Sequence, residues 1–300
     1  MNKLYKILTV DNIVEEYKIF ICGISKNCIN SINSNLQFLS DFINFTNLKV
    51  FTIFVDSDSN DGTKKVLEEF SKNNDSNIYI NLDGLETKFN NRIERIKISR
   101  NKCLETLNEN KENYKAIYIP IDLDIDIFSL TSLKQFEELI EYVIKKNYSN
   151  GIFPFSTPFY YDIFALRAVN WVNYNSQYWV KRMKKILKVG SFLYNFIFIF
   201  RHQITSEKFR QKNVKVKSAF GGAGIYKLEN TYKFYSLDEK NPQDVSEHVQ
   251  FNLQFKELEI LTQWKVPAPK EHLEYRLLSG VAKLKYVLRT IRFDFMRCKR

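Results

Sequence analysis

Ala116-Ile117-Tyr118-Ile119-Pro120-Ile121-Asp122-Leu123-Asp124 is the stretch that decides how this chain is read. The apolar run from 116 to 121 predicts a buried strand, and the acidic tripeptide marks its end. Residues i and i+2 of a strand point to the same side. Asp122 and Asp124 are therefore expected to face one way where the strand meets solvent. Two hard oxygen ligands so placed suit a divalent cation, and that cation would in turn hold a diphosphate. The tripeptide alone also describes a solvated acidic turn, so the surrounding sequence has to decide.

Upstream, strand-like and helix-like patterns alternate. Lys18 to Gly23 reads as a first strand, residues 29–45 as a helix and Val50 to Val55 as a second strand. The second strand ends in a polar turn, Asp56-Ser57-Asp58-Ser59-Asn60-Asp61-Gly62-Thr63. Val66, Leu67 and Phe70 share a helix face, and Ile78 to Ile80 is a short third strand. Ile93, Ile96, Cys103, Leu104 and Leu107 form a helical stripe. Downstream, Ser132 to Gln135 opens a further helix in the manner of a capping box. This alternation predicts an α/β fold with a mostly parallel central sheet flanked by helices. Ligands of such sheets sit beyond the C-terminal strand ends, where both the Asp56 turn and the Asp122 turn are expected. The second half is less regular. Ile152 to Phe155 reads as a strand, Gly221-Gly222-Ala223-Gly224 as a tight backbone passage and residues 244–255 as a helix. No repeat or linker divides the chain, so residues 1–275 are expected to form one domain and 276–300 a basic amphipathic tail.

The chain has 300 residues, 44% apolar and 15% aromatic, enough for a large core. Its formal charge of +11 suits anionic partners: nucleotides, nucleic acid or an anionic membrane. Cys22, Cys28, Cys103 and Cys298 show no zinc-like pairing and no disulfide framework, which points to a reducing compartment. The start of the chain lacks the apolar region of a signal peptide. No stretch reaches the roughly 18 apolar residues of a spanning helix. A cytoplasmic protein is expected, with peripheral membrane contact through residues 179–187 and the tail as one reading and ordinary packing of those stretches as the other.

Taken in order, several segments resemble GT-A-fold nucleotide-sugar glycosyltransferases. Residues 55–63 are similar to the turn after that fold's second strand. Arg92-Ile93 followed by Arg100-Asn101, Tyr161-Asp162-Ile163-Phe164-Ala165-Leu166-Arg167, Phe220-Gly221-Gly222-Ala223-Gly224 and Glu247-His248-Val249-Gln250-Phe251-Asn252 resemble the fungal capsule-associated alpha-1,3-mannosyltransferases and their bacterial family 2-like relatives. The similarity runs from about residue 18 to 255. It implies a GT-A domain with a helical C-terminal elaboration, moving a hexose, with mannose the implied sugar, from a nucleoside-diphosphate sugar to a glycan or lipid-linked glycan.

The resemblance also implies roles. Asp122 and Asp124 would hold Mn2+ or Mg2+, with His272 as a later ligand. Gly23, Ser25, Asp56, Arg92, Arg100, Asn101 and Asp122 would form the donor side. Asp162, Arg167, Gly221 and Gly222 would meet substrate, and Glu247 or His248 would act on the acceptor. A metal neutralises a departing diphosphate, an arginine forks onto phosphate, and a carboxylate at 247 takes a hydroxyl proton. The sequence has His248 where the common form has Asp, which leaves the identity of the base open. Two rival classes remain. One is a nucleotidyltransferase or nuclease built on Asp122, Asp124 and Asp126, which has no need of the glycine loop or the 247–252 helix. The other is a basic nucleic-acid- or membrane-binding scaffold, for which no RNA-binding signature is present; no nucleic-acid partner is expected.

Overall fold

A computed structural model describes residues 14–147, 150–187, 191–209, 213–228, 232–240 and 243–277. Residues 278–300 of the expected tail, Cys298 among them, lie outside the described residues. The first half alternates as expected: β1 (Tyr17–Ser25), α1 (Ile29–Phe45), β2 (Lys49–Asp56), α2 (Thr63–Ser71), β3 (Asn77–Asn81), α3 (Leu85–Lys88), α4 (Arg92–Asn110), β4 (Lys115–Asp122) and α5 (Leu133–Ile144). The second half contains β5 (Asn150–Thr157), α6 (Ser176–Leu187), α7 (Ser191–Phe198), β6 (Asn213–Val216), β7 (Ile225–Lys227), α8 (Glu247–Asn252), β8 (Glu257–Pro267) and α9 (Lys270–Leu277). α9 thus crosses the boundary expected at residue 275. Ser132 caps α5 by accepting a hydrogen bond from the Gln135 amide at 3.2 Å.

The eight strands of the described residues form one sheet in the order β3-β2-β1-β4-β7-β5-β8-β6. β1 to β4 run parallel, β5 and β8 share their direction, and β6 and β7 oppose it. The sheet is therefore mostly parallel. Its inner strands are continuous apolar runs because both faces are covered. On one face Ile32, Leu36, Leu39 and Phe42 of α1 and Phe136, Ile140 and Val143 of α5 meet Ile19, Ile21, Ile117 and Ile119. On the other, Cys103, Leu104 and Leu107 of α4 meet Phe20, Cys22, Ile53 and Tyr118.

The strand order reverses at β1, whose two neighbours are β2 and β4. The crevice beyond the C-terminal ends of β1 and β4 is the switch point at which ligands of open α/β sheets bind. Register sets Ile24 beside Asp122 and Ser25 beside Asp56. Both acidic turns thus lie on one edge, two strand spacings apart, which puts their backbones roughly 9–10 Å from each other.

Candidate functional site

A cavity of about 970 Å³ opens over this edge, at the upper end of the size of small-molecule sites. Asp122 and Asp124 line it together with Ser25, Arg92, Glu247 and His272. The acidic loop is held from below. Ser31 Oγ donates to the Leu123 carbonyl at 2.6 Å, Asn35 Nδ2 donates to the Ile125 carbonyl at 2.8 Å, and the Ile127 amide donates to Asn35 Oδ1 at 3.1 Å. Leu123 is fully buried, so the two flanking carboxylates are turned toward the cavity. Gly23 makes that burial possible: a Cβ there would stand 2.7 Å from Leu123 Cδ1. Its work is to seat Leu123, and it does not line the cavity as a donor contact would.

Asp122 is anchored by Arg100, whose Nη2 donates to Oδ1 at 2.8 Å. The same guanidinium donates from Nε to Glu247 Oε1 at 3.2 Å. Arg100 thus joins the end of β4 to the start of α8, and Glu247 is 147 residues from it in sequence. Its side chain is 3% exposed, lies over the Phe220 ring at 4.8 Å, and leaves Nη1 without a partner. The Asp122 side chain keeps 30% of its surface open to the cavity. Even so, burial in the wall pushes its carboxyl up to about 7 against the pull of Arg100, and the charges of Asp124 and Glu247 add to the rise. Asp124 is exposed and, among the described residues, has no hydrogen bond or ion pair.

Glu247 and His248 open α8, where Ser246 caps the helix by accepting from the His248 amide at 3.3 Å. His248 Nε2 is 3.3 Å from Glu247 Oε1, yet neither ring nitrogen has a hydrogen-bond partner. Burial, with the charge of Arg100, holds His248 well below the usual histidine range. It is a neutral ring stacked on Phe220 at 3.7 Å, and the contact with Glu247 is not an ion pair. Glu247 has 7% of its side chain exposed and lines the cavity.

Several expected contacts take a different form. Asp56 is fully buried and does not line the cavity; its carboxylate accepts from Ser25 Oγ at 2.7 Å, Ser59 Oγ at 2.5 Å and the Ser59 amide at 3.2 Å. It shapes the turn, while Ser25 and Ser57 face the cavity. Asn101 spends its side chain on the Tyr235 backbone, accepting from the amide at 2.8 Å and donating to the carbonyl at 3.0 Å. Arg167 donates to the Phe164 and Leu166 carbonyls at 3.1 and 2.7 Å and stands away from the cavity. Asp162 does line it, while accepting from the Ala165 and Gly221 amides at 3.1 and 3.0 Å. Gly221 and Gly222 have φ of +72° and +93°, a region that glycine alone enters freely. What approaches them is the chain itself: Gly222 carbonyl accepts from the Asp122 amide at 2.8 Å. Arg92 lies exposed at the cavity and Arg100 buried in its wall, so the two arginines do different work. Phe220 and Tyr161 were not singled out from sequence. Phe220 carries both Arg100 and His248, and Tyr161 stacks on His272 at 5.2 Å. Each opens one of the motif segments quoted above, which is the signal that would have found them.

These donors fit a hard divalent ion. Asp124 is unengaged, Asp124 and Glu247 lie close enough to Asp122 to act on its charge, and His272 lines the same cavity. Among the described residues no three His, Cys, Asp or Glu side chains form a group that would hold a metal unaided. Ions bound by one or two carboxylates complete their shell with substrate phosphates and water.

No protein-family model matches the sequence, and no curated protein matches it. Similar solved structures exist. Residues 1–349 of TarS from S. aureus overlay with a TM-score of 0.41 at 13% identity, covering 89% of this chain and 68% of that one. Glucosyl-3-phosphoglycerate synthase from Mycobacterium tuberculosis, in complex with Mn2+, uridine-diphosphate and glucosyl-3-phosphoglycerate, overlays at 0.41 and 12% identity, covering 92% and 82%. The mannosyltransferase PcManGT from Pyrobaculum calidifontis, with GDP-Man and Mn2+, overlays at 0.32 and 12% identity, covering 51% and 43%. The chain spans 41% of the longer TarS structure. Overlaps this loose carry no argument about activity, which has to come from the cavity.

Proposed function

We propose that this chain is a divalent-metal-dependent glycosyltransferase. It moves a hexose, mannose in the finer form of the reading, from a nucleoside-diphosphate sugar to a hydroxyl of a glycan or lipid-linked glycan. The observation that carries this reading is the pairing of Asp122 and Asp124 at the β1/β4 switch point with Glu247 in the same cavity. In this reading Asp122 and Asp124 would hold Mn2+ or Mg2+ together with substrate phosphate and water, with His272 in the same cavity as a further candidate ligand, and the ion would supply positive charge for the departing diphosphate. Ser57 offers a hydroxyl to the nucleoside, Ser25, whose proton goes to Asp56, offers an acceptor oxygen, and Arg92 meets phosphate. Arg100 fixes the aim of both Asp122 and Glu247. Glu247 accepts the acceptor's hydroxyl proton as the new carbon–oxygen bond forms, and the old bond to phosphate breaks with its electron pair leaving on the diphosphate. The nuclease rival loses ground because Asp126 does not line the cavity.

Glu247→Gln is expected to lower transfer by about 10²–10⁴-fold, the usual weight of a general base, with nucleotide affinity nearly unchanged. Turnover and nucleotide titrations on the same preparation separate the two effects. An equal loss of nucleotide affinity would instead assign Glu247 to the donor pocket or to the fold.

A further inference from the structure

Between Asp162 and Glu207 the sequence contains no acidic residue, although 34 of its 300 residues are Asp or Glu. This acid-free stretch supplies α6 and α7, which pack against each other. α6 is two-sided. Gln177, Val180, Lys181 and Lys184 line the cavity. At about 100° per residue, Trp179, Arg182 and Ile186 fall on the opposite side, and Tyr178 and Lys185 on the flank between. Ile186 is 60% exposed and Trp179 37%. Arg182 donates to Tyr178 Oη at 2.7 Å and stands 5.6 Å from the centre of the Trp179 ring. Among the described residues, neither Arg182 nor Lys185 has an acidic partner, whereas Lys181 on the cavity side pairs with Asp244. α7 has no charged residue, adds Leu193 at 48% exposure, and stacks Phe198 on Trp179 at 6.2 Å.

We propose that the α6–α7 pair docks on an anionic bilayer surface. Tyr and Trp beside Arg and Lys, with aliphatic side chains projecting past them, match the headgroup region, where amphipathic rings and basic side chains sit while apolar groups enter the acyl boundary. The unpaired cations complement anionic lipid, each adding about a factor of five near such a surface. No helix of the described residues is long and apolar enough to cross a membrane, so contact through this pair lies at the surface. Because α6 is also a cavity wall, docking brings the cavity to the headgroups, where an acceptor carried on lipid is reached without leaving the bilayer. The docking claim stands on the helix pair alone. The lipid-carried acceptor rests on the glycosyltransferase reading.

The test is flotation of the full chain with vesicles of phosphatidylcholine, with and without phosphatidylglycerol, at low and physiological salt. Binding is expected only with phosphatidylglycerol and is expected to weaken as salt rises. The triple variant Arg182→Glu, Lys185→Glu, Ile186→Glu should bind at least about tenfold more weakly. Arg182→Glu and Ile186→Glu singly, at exposed positions, give the same ranking if the triple variant does not fold. Equal binding of the variants, equal binding to neutral vesicles, binding lost entirely on removing residues 281–300, or a dimer in solution that Ile186→Glu disperses would each overturn the proposal. Thermal shifts with nucleotide, run in parallel, separate the claims. Flotation lost in the variants, with their nucleotide response retained, supports both. Flotation without any nucleotide response keeps the docking and sinks the glycosyltransferase reading.

Discussion

Asp124→Asn is expected to abolish Mn2+- or Mg2+-dependent transfer, a loss on the order of 10²–10³-fold or more, the scale of removing a main electrostatic stabiliser of the transition state. A neutral amide is a poor partner for a hard cation. Asp124 is the carboxylate of the pair that no other side chain engages, so its charge is the one free for an ion. For the same reason the fold should not notice the change. Asp124 is exposed, and such substitutions usually stay within about 0.5 kcal/mol. Initial rates with and without chelator, beside urea unfolding of the apo proteins, check both halves. Unchanged turnover in the variant, or wild-type turnover that survives chelation, would remove the metal from the account.

Arg100→Met should instead be mainly a stability mutant. It leaves Asp122 and Glu247 facing each other in the cavity wall without the guanidinium that joins them. Removing one partner of a buried ion pair costs about 3–5 kcal/mol, and the Asp122 end, open to the cavity, places the expected loss toward the lower part of that range. Arg100→Lys should recover little, because a single ammonium cannot reproduce a fork that reaches two carboxylates in different directions. Urea midpoints at neutral pH measure it. A loss below about 1 kcal/mol would mean that water or relaxation replaces the guanidinium, and the network would no longer serve as the scaffold of the site.

The first half of the fold was legible because its strands obey one simple rule. β1, β2 and β4 are buried on both faces and written as unbroken apolar runs, and α1, α4 and α5 show their stripe between them. β7 has three residues, hidden behind the glycines, and pairs antiparallel between β4 and β5. β6 has four. Neither length gives periodicity enough to read. β8 was passed over because Glu257, Glu259 and Lys265 interrupt it, and its pairing with β5 slips between Pro154 and Phe155. The helix expected over 244–255 shrinks to α8, Glu247–Asn252, since the preceding residues serve as its cap and turn.

The site was legible in the same uneven way. The resemblance implied one site for Asp122, Asp124, Glu247 and His272, and all four line one cavity. It did not say which motif residues are consumed by their own neighbours. Asp56, Asn101 and Arg167 each satisfy hydrogen-bonding groups of nearby loops, and a one-dimensional pattern gives no hint of which partner answers. Arg100 is the opposite case. The resemblance implied a place for it on the donor side with Arg92, but burial makes it the link between two carboxylates that are far apart in sequence.

The central claim is that the crevice between β1 and β4 binds a nucleoside diphosphate through a divalent ion. Thermal unfolding of the full chain with UDP, GDP and other nucleoside diphosphates, each with Mn2+ and with chelator, tests it most directly. One nucleotide is expected to stabilise the protein only when metal is present, by about 2.7 kcal/mol at a hundred times its dissociation constant, and Asp124→Asn is expected to erase the effect. Stabilisation that is indifferent to chelator, or a protein that responds to no nucleoside diphosphate at all, would contradict the account.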